Sequence, residues 1–261
     1  MTTASNTLLA EGFQAPGPGT FELPPVFGDV TKPMLLLVLS VVLIVGFFWL
    51  ASHRAAVVPG RLQFVGEYAY NFARNSITRD SIGSEHFRAF VSYITALFFF
   101  VLVNNLYGLF PFLQFPSFSR ASFAYGLAAL TWLLYNGVGI WKNGFFGYWK
   151  LQTVPGGVKG PILALIIPLE FFSNILVRPF TLSLRLFANM FAGHLLLALF
   201  VLGGEYLIFE SDKLSYAPVG ALAWLMALAV SFLELLVMAL QAYVFALLTA
   251  MYVGGALADE H

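Results

Sequence analysis

Between residues 89 and 119 the chain carries no Asp, Glu, Lys or Arg, and runs with few or no charges recur along most of its length. Residues 34–51, MLLLVLSVVLIVGFFWLA, are uncharged throughout and long enough to cross a ~30 Å hydrocarbon core at ~1.5 Å per residue. Lipid offers no water to bare N–H and C=O groups, so such runs favour helices, which close their backbone hydrogen bonds within the segment. Only 10% of the 261 residues are charged and 59% are hydrophobic, whereas a soluble domain is about a quarter charged. The sequence therefore predicts an all-α, polytopic membrane protein.

Composition also excludes several kinds of activity. A formal net charge of zero gives a nucleic acid no electrostatic footprint. With no cysteine there is no disulfide, no cysteine-ligated metal and no thiol nucleophile. The four histidines, at positions 53, 86, 194 and 261, form no close-spaced ligand pair, so no metal site is expected. No glycine-rich phosphate loop is present, and the sequence predicts neither a cofactor nor a catalytic residue on this chain. The N-terminus lacks a basic region followed by an apolar one, so no cleavable signal is expected. Residues 1–32, rich in Pro and Gly and carrying Glu11, Glu22 and Asp29, read as an extracytoplasmic tail ahead of one helical membrane domain, 33–261.

Within that domain the first crossing is expected at 34–51, the second at 89–110 and the third at 121–141. Over 61–80, Leu62, Val65, Ala69 and Phe72 recur at helical spacing with Glu67, Asn71 and Arg74 on another face, which predicts an amphipathic helix at the membrane surface. The loop over 53–88 holds Arg54, Arg61, Arg74, Arg79 and Arg88, and the loop after Trp141 holds Lys142, Lys150 and Lys159. Placing both on the cytoplasmic side satisfies the positive-inside rule and leaves the N-terminus outside. The last two apolar segments, 161–203 and 216–257, are each about 40 residues, ~60 Å as helix and twice the thickness to be crossed. Pro179 offers a break, since proline removes an i to i−4 bond. Splitting both segments would need a reversal near residue 236, where no polar loop exists. Two long, strongly tilted helices joined as a hairpin by the outer loop 205–213 are the simpler reading. That makes about five crossings, with the C-terminal ADEH in the cytoplasm.

Several polar side chains interrupt these two helices: Glu170, Arg185, Asn189 and His194 on one, Glu234 and Gln241 on the other. A guanidinium stays protonated, and burying one at mid-membrane depth costs ~2.5–3.5 kcal/mol on insertion scales. In a hairpin closed near 205–215, His194 falls roughly level with Glu234, and Arg185 roughly level with Gln241. Arg185 and Asn189, four apart, share a face, as do Glu234 and Gln241, seven apart. Arg185 and His194, nine apart, point to nearly opposite sides. One faces a partner while the other lines a wet cavity, and spacing leaves open which. Each group also has a plainer role: Glu170 as a neutral, hydrogen-bonded acid, His194 as a packing residue, Arg185 in an internal salt bridge, Asn104 and Asn105 as glue between helices.

The segments NNLYGLFPF, PLEFFSNILVRPFTLSLRLFANMFAGH and QAYVF, with the short acidic tail ending in histidine, resemble subunit a of F-type rotary ATP synthases, the membrane stator and proton channel. The resemblance extends from about residue 35 to the end. It implies that Arg185 faces the carboxylate carried by each copy of the c-ring. It implies that Asn189, His194, Glu234 and Gln241 belong to an aqueous half-channel open to the periplasmic side, with the acid and the histidine on helices swapped relative to some members, and that Asn105 matches a polar proton-translocation position of an earlier helix. Glu170 resembles the acid of the cytoplasmic half-channel, one residue further from the arginine than the family pattern places it. The implied partners are the c-ring, peripheral-stalk subunits of b and delta type, and the bilayer, in a bacterial plasma membrane. Histidine, with an unperturbed pKa near ~6.5, and a buried carboxylic acid suit a proton relay. A secondary transporter binding its substrate at mid-membrane is the main rival, and no internal repeat speaks for it. An intramembrane protease lacks a Ser and His or paired Asp arrangement.

Overall fold

The structure, a computed structural model, describes residues 13, 15–17, 19, 28–53, 55–110, 113, 115–154, 162–210 and 214–258. Most of the predicted N-terminal tail, Arg54, Lys159, loop residues 211–213 and the last three residues of the ADEH end lie outside the described residues. Helix α1 spans Lys32–Ser52 and begins with Pro33 in its first turn, where the missing N–H leaves no bond unmade. Helix α2, Arg61–Asn71, runs through a π-helical segment, Phe72–Arg79, into the short α3, Asp80–Ile82. Then follow α4, Phe87–Leu106, α5, Ala121–Asn143, and α6, Phe145–Thr153. The last part is α7, Leu163–Phe172, a π segment Ser173–Val177, α8, Arg178–Glu205, a second π segment Tyr206–Glu210, and α9, Ala217–Leu257.

Among the described residues, five helical stretches are long and apolar enough to cross a membrane: Lys32–Ser52, Phe87–Leu106, Ala121–Asn143, Leu165–Glu210 and Ala217–Leu257. The last two hold 46 and 41 residues. At ~1.5 Å per residue each is about twice as long as the hydrocarbon core is thick, so each must run steeply tilted or project beyond it. Pro179 does not end the helix. The chain stays helical from α7 into α8, and the disturbance is taken up by the π turn just before the proline.

The core lies around the second half of α9. Met238, Ala242, Phe245, Ala246 and Ala250 are buried against Ile94 and Val101 of α4, Ala124 and Ala128 of α5, and Leu182, Leu186 and Met190 of α8. The alanines on α9 let neighbouring backbones come close, which in lipid replaces the hydrophobic drive as the source of association. A Cβ at Gly254 would stand 2.4 Å from the carbonyl oxygen of Ser81, so α9 also rests directly on α3. The ends of α9 and α5 are tied together. Lys142 donates from Nζ to the carbonyl of Leu257, and Asn143 Nδ2 donates to that of Ala256 at 3.3 Å, satisfying carbonyls that the helix end leaves open.

In the segment after α1, mostly small and polar residues rather than large apolar ones pack on the protein. Gln63, Gly66, Ala73 and Ile77 are buried, while Leu62, Phe64, Val65 and Tyr68 are exposed. Small side chains select the contact: a Cβ at Gly66 would lie 2.7 Å from that of Ala51. The large apolar residues are turned away from the protein.

Candidate functional site

Helices α8 and α9 form an antiparallel pair whose closest approach is set by glycine. Gly204 and Gly220 face each other, and a Cβ at Gly204 would lie 2.4 Å from the ring of Trp224. Further along, a Cβ at Gly193 would meet Glu234 Oε1 at 3.3 Å, so the Glu234 carboxyl group lies against bare backbone beside His194. One turn beyond, Asn189 Nδ2 donates to Gln241 Oε1 at 2.9 Å. Asn105 of α4 donates from Nδ2 to the carbonyl of Met238, which lies between Glu234 and Gln241, at 3.4 Å. Asn105, Asn189, Glu234 and Gln241 are thus brought together, with His194 alongside.

Glu234 is 3% exposed, yet neither carboxyl oxygen accepts a hydrogen bond; Gln241 Nε2 and Asn105 Oδ1 are likewise buried without one. Each such atom costs roughly 1–3 kcal/mol, so four in one cluster are far from the ordinary economy of a helix interface. Asn104 lies apart and ties α4 to α1, donating to Ser40 Oγ at 2.8 Å.

Arg185 does not meet Gln241, although the spacing placed the two at one level. The side of α8 turned toward α9 carries Leu182, Leu186 and Met190, all buried, and Asn189 is the residue of this turn that reaches Gln241. Arg185, one turn before Asn189, lies at the outer edge of that side. Thr181, Arg185, Ala188 and Ala192 are exposed in one row, so the permanent charge stands among small residues on the chain's outer surface.

Glu170 belongs to a second polar region. Asn174 Nδ2 donates to Glu170 Oε2 at 3.1 Å and to the carbonyl of Gln152 at 2.6 Å. A cavity of about 310 Å³ here is lined by Gln152, Glu170, Asn174, Arg178 and Gly255 among others. Arg178 sits with its guanidinium carbon 5.3 Å from the centre of the Tyr252 ring. Behind the cavity, Gln152 Nε2 donates to Tyr148 Oη and Tyr148 Oη donates to Asn136 Oδ1, each at 3.0 Å. Burial pushes the Tyr148 hydroxyl above its usual range, opposed by the Gln152 bond and by Arg178, so it remains a protonated donor.

The π turn accounts for the odd spacing of Glu170. In an unbroken α-helix, residues eight apart such as Glu170 and Arg178 are ~80° apart around the axis. A π bulge absorbs one residue, which leaves the pair close to two whole turns apart and on one side. Both therefore line one cavity. Sequence reasoning missed Asn174, Gln152 and Tyr148; the one available signal was Asn174 standing four residues after Glu170, a spacing at which side chains meet.

Comparison with known proteins identifies the family. The family described as ATP synthase A chain matches residues 34–254. An ATP synthase subunit a from a Nocardioides species is 59% identical over 98% of this chain and 97% of its own length. That of Pseudarthrobacter chlorophenolicus is 48% identical over 95% of each chain, and that of Streptomyces lividans 42% over 96% of this chain and 90% of its own. With matches of this identity over nearly the whole length, the chain belongs to the family of ATP synthase subunit a.

Proposed function

We propose that this subunit is the proton-translocating stator of the ATP synthase membrane sector, in which Arg185 faces a carboxylate on each copy of the rotor c-ring. The cluster of Asn105, Asn189, His194, Glu234 and Gln241 forms the half-channel open to the extracytoplasmic side. The cavity around Glu170 forms the one open to the cytoplasm. The chain crosses a bacterial plasma membrane several times, with its N-terminus outside and its C-terminus inside. Peripheral-stalk subunits of b and delta type hold it still, and the exposed apolar face of α2 lies on the membrane surface.

One observation carries this reading: an exposed arginine stands between two polar regions that do not meet. Along the α7–α8 path Arg185 is fifteen residues from Glu170 and nine from His194, ~22 Å and ~13 Å of rise. Buried Leu182, Leu186, Phe245 and Ala246 fill the space beside it. Among the described residues the side chains between the two regions are mainly apolar, so a proton entering either region is expected to leave on a rotor carboxylate. At ~4 Å and an effective dielectric of ~20, the arginine attracts that carboxylate by ~4 kcal/mol. Moving one charge through 100 mV supplies ~2.3 kcal/mol, so the contact holds the acid ionised without trapping the rotor. The small residues around Arg185 permit the close approach this requires.

Reconstitution in liposomes tests it. The chain alone should leave a proton gradient intact, and the same chain assembled with its ring should dissipate one. Conduction by the isolated chain would overturn the reading.

A further inference from the structure

Pro179 has no N–H to give to the carbonyl four residues back, Ile175, or to the one five back, Asn174. Both carbonyls are met from another helix. Trp132 Nε1 of α5 donates to Ile175 O at 3.1 Å, and Tyr135 Oη donates to Asn174 O at 3.5 Å. Tyr135 is 2% exposed and Asn174 7%, so these bonds are made inside the protein. The π turn is therefore pinned to α5 at two carbonyls ahead of the proline, one of which its missing N–H would otherwise have met.

Little else fixes the rotation of α7. It packs on α6 and on the π turn, while Leu165, Leu169 and Phe172 on its other sides are 73%, 67% and 60% exposed. How Glu170 points is thus decided at 173–177. We propose that Trp132 and Tyr135 are positioning residues for Glu170: by holding the π turn they aim its carboxyl group, through Asn174, into the cavity shared with Arg178. The inference rests on the reading of Glu170 as the acid of cytoplasmic proton access. Among the described residues, the other charged or titratable groups around that acid are Arg178 from α8, Tyr148 from α6 and Tyr252 from α9 under the guanidinium, with Lys150 exposed on α6.

The test uses the assembled complex in inverted membrane vesicles, where the bath is the cytoplasmic side. Proton-driven ATP synthesis, normalised to assembled complex, is followed against bath pH at fixed internal pH, and then with the two exchanged. Trp132→Phe and Tyr135→Phe keep the rings and remove the donors. Each should lower synthesis about fivefold, the worth of one neutral hydrogen bond. Together they should move the midpoint of the bath-pH profile by half a unit or more and leave the internal-pH profile in place. In a Pro179→Ala background residue 179 regains an N–H for the Ile175 carbonyl four residues back, and Trp132→Phe should then cost less than twofold. A normalised rate and bath-pH profile unchanged by the pair overturn the proposal, as does an equal cost of Trp132→Phe with and without the proline. If the double variant does not assemble, the single Trp132→Phe change is read by the same criteria. Glu170→Gln separates the two levels. Should it remove the dependence on bath pH while the Trp132 and Tyr135 variants do not alter it, only the positioning role falls. Should it have no effect, the reading of Glu170 falls and the positioning role with it.

Discussion

The carboxyl group of Glu234 rests on the bare backbone of Gly193, at a distance where one added carbon would touch it. The touching atom is the tip of a side chain that can shift by a few tenths of an ångström. Gly193→Ala should therefore keep most proton pumping, whereas Gly193→Val, which adds two methyl groups at the same point, should reduce it at least tenfold by swinging the carboxyl group away from His194 and Gln241. Quenching of a pH-sensitive dye in inverted vesicles measures both; equal activity of the two variants would show that the contact is unimportant.

Arg185 offers the sharpest test of the stator reading. Its ~4 kcal/mol of attraction corresponds to roughly 10³-fold in rate, so Arg185→Ala should abolish proton-driven synthesis while ATP hydrolysis by the detached catalytic sector stays measurable. Arg185→Lys should also fail, because a desolvated ammonium sheds its proton more readily and lacks the planar fork. Synthesis by either variant at the normal rate would refute the role.

His194 and Glu234 are expected to act as a pair. Exchanging them, His194→Glu with Glu234→His, should retain several times more proton transport than either single change, because the exchange preserves one imidazole and one carboxyl group. A double variant no better than the singles would break the pairing.

Gly139 is a structural requirement behind the Glu170 cavity. The Tyr148 ring lies where a Cβ would be, with 2.1 Å to the nearest ring carbon, and that ring is fully buried. Gly139→Ala should displace α6 at a cost of about 1–3 kcal/mol, the usual penalty of overpacking. The expected signs are a lower melting temperature of the purified complex and weakened proton uptake from the cytoplasmic side.

Much of this architecture is legible in the residue order because lipid simplifies the rules. Uncharged runs become helices, and the absence of a polar loop near residue 236 keeps Ala217–Leu257 in one piece. The antiparallel pairing follows from counting outward from the 205–215 turn, and Glu234 lies beside His194 within about a residue of that count. What counting misses is rotation. Arg185 was expected at the level of Gln241, but the angular position of Leu182, Leu186 and Met190 turns the arginine outward and gives the contact to Asn189. The surroundings of Glu170 were hidden for a related reason. A π turn shifts the helical phase by one residue, and what maintains it is a tryptophan and a tyrosine some forty positions earlier, partners that no local pattern announces.

The bonds from Lys142 and Asn143 to the last carbonyls of α9 have a mechanical consequence. A sideways load on the outer half of α9 is not borne by that helix alone: its far end is anchored to α5, which grips the π turn ahead of α8. The three helices make a braced frame, and a braced frame yields less under torque than a free cantilever.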